Sequence, residues 1–230
     1  MKTDPTRPPS APPPTPRLPA GASRYGWFVG VVAVLLITYI SVNTVRTRGV
    51  GSAGLRQGSA LPQFAAPIAT GPLPDGDVNV ARKAGQGGAG RRPACSVRGP
   101  GVLNSCDLVR NSPAAIAFLA TRGAQCTGEI DALARATARH PGLKVAAVSI
   151  RGDRAELRRL VRTHRWRFPV AWDRDGILAN LFGVAVCPAI TYVLPGGRVQ
   201  GTSVGRLEGP ALDARLSALE RAARAGGWRP

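Results

Sequence analysis

The sequence predicts an α/β fold, a central mixed sheet with helices on both faces, preceded by a single transmembrane helix. Three observations carry that prediction. Residues 113–225 alternate continuous apolar runs of strand length with segments of helical period, the pattern of strands covered by helices on both faces. The last two strands are separated only by Pro195-Gly196-Gly197, a hairpin turn, so a sheet that begins with crossovers ends antiparallel. Tyr25 to Val45 holds no charge in 21 residues, enough helix at about 1.5 Å per residue to cross a hydrocarbon layer of roughly 30 Å.

Residues 1–24 hold eight prolines, Pro12, Pro13 and Pro14 in succession, and read as a disordered Pro-rich tail because they forbid helix and offer little to bury. Residues 25–45 are the predicted span, with Tyr25, Trp27 and Tyr39 suited to its interfaces. The exit reads SVNTVRTRG, without the small-residue pattern of a cleavage site, so an uncleaved anchor is expected rather than a signal peptide. Lys2, Arg7, Arg17 and Arg24 precede the span and Arg46, Arg48 and Arg56 follow it, a balance that leans only slightly toward a tail inside and a domain outside. Residues 46–60 form a Gly/Ser linker, and residues 61–112 a loop-rich N-terminal arm.

From Pro113 the folded domain begins. AAIAFLA (114–120) is a buried strand, and residues 126–139 a helix with Cys126, Ile130, Leu133, Ala134 and Thr137 in phase, stopped by His140-Pro141-Gly142. KVAAVSI (144–150) is the second strand. Asp153, with Glu156 three residues on, caps a helix whose inner stripe is Leu157, Leu160, Val161 and His164. A strand at 168–172, a turn at Asp173-Arg174-Asp175-Gly176, a short helix at 177–183, strands at 189–194 and 198–205, and a helix at 209–224 complete the order β-α-β-α-β-α-β-β-α.

Composition sets the outer bounds. The 230 residues are 44% hydrophobic with four cysteines, so the chain can bury a core and is not a disulfide-dense mini-protein. Lys+Arg number 31 against 13 Asp+Glu, a net charge of +18, shared equally between residues 1–112 and 113–230. A charge spread so evenly is no basic tail or patch, and a nucleic-acid partner is not expected.

Several segments resemble one family: LPQFAAP (61–67), VLNSCDL before an apolar strand, AFLATRGAQCTGEIDAL, and above all FGVAVCPAITYVLPGGRV. Together they resemble the membrane-anchored thioredoxin-like proteins of the TlpA and ResA type, relatives of the peroxiredoxin-like redoxins, over residues 61 to about 222. The resemblance implies a thioredoxin-like fold at 113–225, a cis peptide bond at Pro188, a domain held outside the cytoplasmic membrane, thiol-disulfide oxidoreductase chemistry, a protein thiol or disulfide as partner, and no cofactor.

The chain departs from that family where the chemistry should be. The family carries W-C-x-x-C at the start of the first helix, the first thiol attacking and the second resolving. Here Arg122 stands in place of the Trp and Gly123 in place of the attacking Cys, and only the second thiol survives, at Cys126. Four readings of Cys126 follow: an inert core thiol; a disulfide with Cys187, since in this fold the loop before the cis proline lies against that helix; a peroxidatic thiol, with Arg122 lowering its pKa; and a metal ligand, which the spacing of the four cysteines does not favour. Cys95 and Cys106 bracket a loop containing Gly99-Pro100-Gly101, suited to an extracytoplasmic disulfide. Four cysteines allow three complete pairings, and the preferred one is Cys95 with Cys106 and Cys126 with Cys187. The expected function is a redoxin with an altered active site using Cys126 and Cys187; the alternatives are a non-catalytic binding module and a peroxidase.

Other signals have plainer readings. His140 and His164 read as structural, with no carboxylate in recognisable relation to either. Arg151-Gly152-Asp153 reads as a turn into a helix cap rather than an adhesion motif, and Asp173 and Asp175 as a turn rather than a calcium loop. The arginine-rich stretch 151–167 reads as a solvated face, with anionic lipid or an acidic partner as the alternative.

Overall fold

The computed structural model describes residues 22–46, 53–72, 93–121, 126–150, 152–174, 176–207 and 209–230. The chain divides into two units, Met1–Gly49 and Val50–Pro230. In the first, α1 (Ala22–Arg46) is a continuous helix whose described side chains, residues 25–41, are exposed on every side. Among the described residues no helix is long and apolar enough to cross a membrane. The side chains of α1 are described over 25–41 only, short of the about 20 residues of a span. Residues 1–21 of the Pro-rich tail lie outside the described residues.

The second unit is built on a five-stranded sheet. β1 (Ala65–Pro67) and β2 (Val102–Asn104) first form a small antiparallel pair, followed by α2 (Ser105–Leu108). Then come β3 (Ala114–Leu119), α3 (Thr127–Thr137), β4 (Lys144–Ile150), α4 (Arg154–His164), β5 (Val170–Asp173), α5 (Ile177–Phe182), β6 (Ala189–Val193), β7 (Val199–Val204) and α6 (Gly209–Ala225). The strand order is β5-β4-β3-β6-β7. The β3–β4 and β4–β5 pairs are parallel, and the β3–β6 and β6–β7 pairs antiparallel.

β3 lies at the centre, and its six residues are all buried, which is why its sequence is apolar without alternation. The pleat sends them to opposite faces. Ala115, Ala117 and Leu119 join Ile130 and Leu133 of α3 and Leu216 of α6 in one core. Ile116 and Phe118 join Phe182 of α5 and Phe64 of the arm in the other.

Both sheet edges are covered, which removes the unpaired amides that would otherwise template association. Ala69 N donates to Val170 O at 2.8 Å, so the arm lies along β5. Gly58 N donates to Val199 O at 2.8 Å, and Val199 N to Ser59 O at 2.9 Å, so residues 58–60, inside the stretch that composition assigns to a linker, lie along β7. β5 begins at Val170 rather than at the expected residue 168, because Pro169 has no amide to give the ladder and contributes only its carbonyl, to Ala147 N at 2.9 Å.

The packing corrects the solvated reading of Arg154 and gives both structural histidines carboxylate partners that local sequence does not show. Arg154, from the stretch read as a solvated face, is 3% exposed. Its Nη2 donates to Ile68 O at 2.9 Å and to Gly71 O at 3.3 Å, holding the arm against α4. His164 does meet a carboxylate, Asp131 of α3, with Nδ1 2.9 Å from Oδ2. His140 meets two on α6: Nε2 lies 3.2 Å from Asp213 Oδ1, and Nδ1 lies 3.2 Å from Glu220 Oε2. Each of these partners is at least 33 residues away, beyond the reach of local sequence patterns.

The tie from α3 to α6 sets an acid limit. Asp213 is held below its ordinary 3.8, chiefly by the hydrogen bond from Arg139 and next by that from His140. A depressed carboxylate contributes stability that is present above the unfolded value and is lost as pH falls through the folded value. Urea unfolding of the native chain and of Asp213→Asn should therefore differ at pH 5 to 6, with the gap closing below about pH 3. A gap independent of pH down to that point would show that the Asp213 charge does not hold this contact.

Candidate functional site

The site forms where β3 and β6 end side by side. The antiparallel register pairs Phe118 with Ala189, so the residues just before β6 lie beside the chain leaving β3. That chain returns as α3, and Cys126 is its N-cap residue, 1% exposed, with its carbonyl accepting from Ile130 N at 3.3 Å. From the other side, α5 ends at Gly183 in the left-handed region, φ 62, a conformation open to glycine at little cost. Val184 is then buried, Ala185 and Val186 are exposed, Cys187 is half-buried and Pro188 is buried.

The Cys187–Pro188 peptide bond is cis. Pro188 O accepts from Gly205 N at 2.8 Å, which ties the loop to the end of β7. Cys126 and Cys187 form a disulfide, with Cα atoms 5.8 Å apart. Closing a loop of 61 residues restricts the unfolded chain by about 4 kcal/mol in the chain-entropy account. Arg122, the fourth candidate residue, lies outside the described residues, as do residues 123–125.

The sulfurs differ in setting. Cys126 opens an 11-residue helix, where the unpaired amides and the dipole favour a thiolate. Glu129, the acidic residue of that first turn, would oppose this charge, but Arg206 Nε donates to its Oε1 at 2.9 Å. Cys187 is the more accessible of the two and is flanked by apolar surface. In the folded unit the exposed large apolar side chains among the described residues are Leu181, Val186 and Val204. Val186 adjoins Cys187, and Val204 pairs with Ala189.

Sequence patterns did not reveal two supports of this region. Gly152 has φ 93, and a Cβ there would overlap Thr121 Oγ1. That restriction is steric and accounts for the glycine of the Arg-Gly-Asp run without a partner. Trp172 Nε1 donates to Gly152 O at 3.0 Å, closing the same corner. Asp173 is fully buried, and its Oδ2 accepts from Ala179 N at 3.0 Å, so it anchors α5. Among the described residues no group of side chains could hold a metal ion.

Cys95 and Cys106 form the second disulfide, Cα atoms 5.5 Å apart, on the arm. Buried Asn104 organises it. Its Nδ2 donates to Ala94 O at 2.8 Å and Val97 O at 2.9 Å, and its Oδ1 accepts from Cys106 N at 2.9 Å. The loop of 11 residues is worth about 3 kcal/mol by the same entropy account.

A central mixed sheet, helices on both faces and a cysteine-bearing helix start beside a cis proline define a thioredoxin-like domain. Residues 101–201, which include both cysteines of the central pair, match the AhpC/TSA family, so that stretch of the chain is similar to this family. Solved structures share the fold. A candidate thiol:disulfide interchange protein DsbE from Chlorobium tepidum is 22% identical over 74% of this chain and 98% of that one, with a TM-score of 0.54. A thioredoxin-family thiol:disulfide interchange protein from Chlorobium tepidum TLS is 14% identical over 72% and 98%, TM-score 0.52. A candidate thioredoxin from Neisseria meningitidis is 18% identical over 74% and 95%, TM-score 0.52. At these identities the likeness is one of fold. No curated protein matches the chain.

Proposed function

We propose that this protein is a membrane-anchored, extracytoplasmic thiol-disulfide oxidoreductase whose redox pair is Cys126–Cys187, in place of the two thiols that its relatives keep in one loop. The observation that carries the reading is the disulfide itself, joining a buried cysteine at a helix start to a half-buried one before a cis proline.

The chemistry follows from the asymmetry. A substrate thiolate attacks Cys187 Sγ, the more accessible sulfur, and forms a mixed disulfide. The Cys126–Cys187 bond breaks with its electron pair passing to Cys126 Sγ, a leaving group favoured by the start of α3. A second substrate thiolate then attacks the substrate sulfur of the mixed disulfide and releases Cys187 as a thiolate. The substrate dithiol is oxidised by two electrons to a disulfide, and the Cys126–Cys187 pair is reduced by the same two. The reverse sequence reduces a substrate disulfide. Leu181, Val186 and Val204 supply an apolar surface on which a polypeptide substrate can rest.

The 1% exposure of Cys126 supports a second reading, in which the disulfide is a staple and the groove beside Pro188 is a binding surface without turnover. A peroxidase receives less support, since the Cys126 sulfur is bonded and buried rather than a free accessible thiol.

The anchor rests on the uncharged run 25–45 and on the exposure of Val29, Leu35, Leu36 and Ile37 around α1, a distribution suited to lipid rather than water. Extraction from membranes by detergent but not by high salt is the expected behaviour.

Mass mapping after brief exposure of the oxidised full chain to glutathione tests the exchange reading. Glutathione should appear on Cys187 and a free thiol at Cys126. Absence of any adduct under native conditions, with adducts only after unfolding, would leave the staple reading in its place.

A further inference from the structure

Between α3 and the end of α4 lies a cavity of about 760 Å3 that the exchange chemistry does not use. Its volume falls in the range of small-molecule sites. Leu143, Val145 and Phe168 give it an apolar lining. Behind one wall His164, Trp166 and Phe168 form a ladder of rings, with centroids 5.1 and 6.2 Å apart. Asp131 fixes that ladder: its carboxylate accepts from Trp166 Nε1 at 2.7 Å and lies 2.9 Å from His164 Nδ1.

The same cavity is lined by three exposed arginines, Arg135, Arg165 and Arg167. Elsewhere on the domain some surface guanidinium groups meet carboxylates, Arg98 and Arg110 at Asp107, Arg139 at Asp213, Arg206 at Glu129. Among the described residues Arg135, Arg165 and Arg167 have no ion-pair partner, and the one carboxylate lining the cavity, Asp131, is engaged by His164 and Trp166. Arg165 is moreover the helix-ending residue in the left-handed region, φ 54. Glycine would adopt that conformation without strain, so the backbone turn alone does not call for an arginine.

An apolar lining beneath three unpaired guanidinium groups matches one ligand chemistry. An inorganic anion would leave the lining unused, and a neutral hydrocarbon would leave the arginines unused. We propose that this cavity binds a small amphiphilic anion, its carboxylate or phosphate head held by Arg135, Arg165 and Arg167 and its apolar body lying against Val145 and Phe168. The site is independent of the Cys126–Cys187 pair.

The test follows the Trp166 indole N–H resonance of the full chain in non-ionic detergent during titration with octyl phosphate, inorganic phosphate or octanol. Octyl phosphate should shift it saturably, and the other two should bind at least about tenfold more weakly. Arg165→Gly, which relaxes the backbone, should weaken octyl phosphate about tenfold or more without loss of fold. Arg159→Gln with Arg162→Gln, exposed on α4 and not lining the cavity, should leave it unchanged. Dihexanoyl phosphatidic acid binding more tightly than octyl phosphate would assign the head to a membrane lipid, and weaker binding to a soluble single-chain anion. No saturable shift, equal affinity for inorganic phosphate or octanol, or an unaltered affinity in Arg165→Gly overturns the proposal.

Discussion

Cys126→Ser and Cys187→Ser should fail in opposite ways. With Cys126 replaced, the remaining thiol at Cys187 is the accessible one; it should be alkylated readily and, by attacking a substrate disulfide and expelling one substrate thiolate, accumulate as a mixed disulfide, because the Cys126 thiolate that displaces the substrate in the reverse sequence is absent. With Cys187 replaced, the remaining thiol is the buried Cys126, 1% exposed in the native structure, and neither rapid alkylation nor trapping is expected. Both variants should lose dithiol oxidation to background, since a two-electron exchange needs both sulfurs. Quantitative labelling of the native state, followed by capture of trapped partners on non-reducing gels, reads the asymmetry. The reverse order, with Cys126 trapping and Cys187 silent, would mean that the attacked sulfur has been assigned to the wrong residue. Silence in both would favour a staple.

Phe182→Ala should be the most damaging single core change near the site, with a loss of about 3 to 5 kcal/mol. Phe182 is fully buried, 5.7 Å from the Phe64 ring and 4.9 Å from the Phe118 ring. It thus joins the arm, the central strand and α5 in one cluster. α5 ends at Phe182, and the loop that carries Cys187 starts there, so the cavity left by alanine opens at the base of that loop. Urea unfolding of the oxidised chain measures the loss, and the rate of Cys187 labelling after reduction should rise with it. A loss under about 1 kcal/mol would show that the cluster repacks around the gap, as the best-tolerated core substitutions do.

Legibility in the sequence was uneven, for physical reasons. The strands at 114–119 and 144–150 are legible because a strand buried on both faces is apolar along most of its length. The cap of α4 was readable because its signal is local: Asp153 accepts from Glu156 N at 2.8 Å, three residues on. The sequence predicts loops for the arm, yet it carries β1 and β2, three residues each. Strands that short have no period to detect, and their order comes from Asn104 and from the sheet edge that they cover. For Arg154 the sequence predicts a solvated face, because a charge favours exposure. It is buried because the carbonyls of Ile68 and Gly71, more than 80 residues earlier, satisfy its guanidinium.

What this sequence determined alone is the order of its elements from residue 114 onward, the uncharged run 25–45, and the presence of a single cysteine, Cys126, between the strand at 114–119 and the helix that follows it. These are local facts, written in periodicity and residue type. Which sulfur joins Cys126 was decided by the tertiary structure, because a disulfide needs two Cα atoms within about 7 Å and only the register of β3 against β6 places residue 187 beside residue 126. The same holds for the carboxylates beside His140 and His164 and for the arginines around the cavity between α3 and the end of α4. Each pairing there spans a distance along the chain that only folding closes.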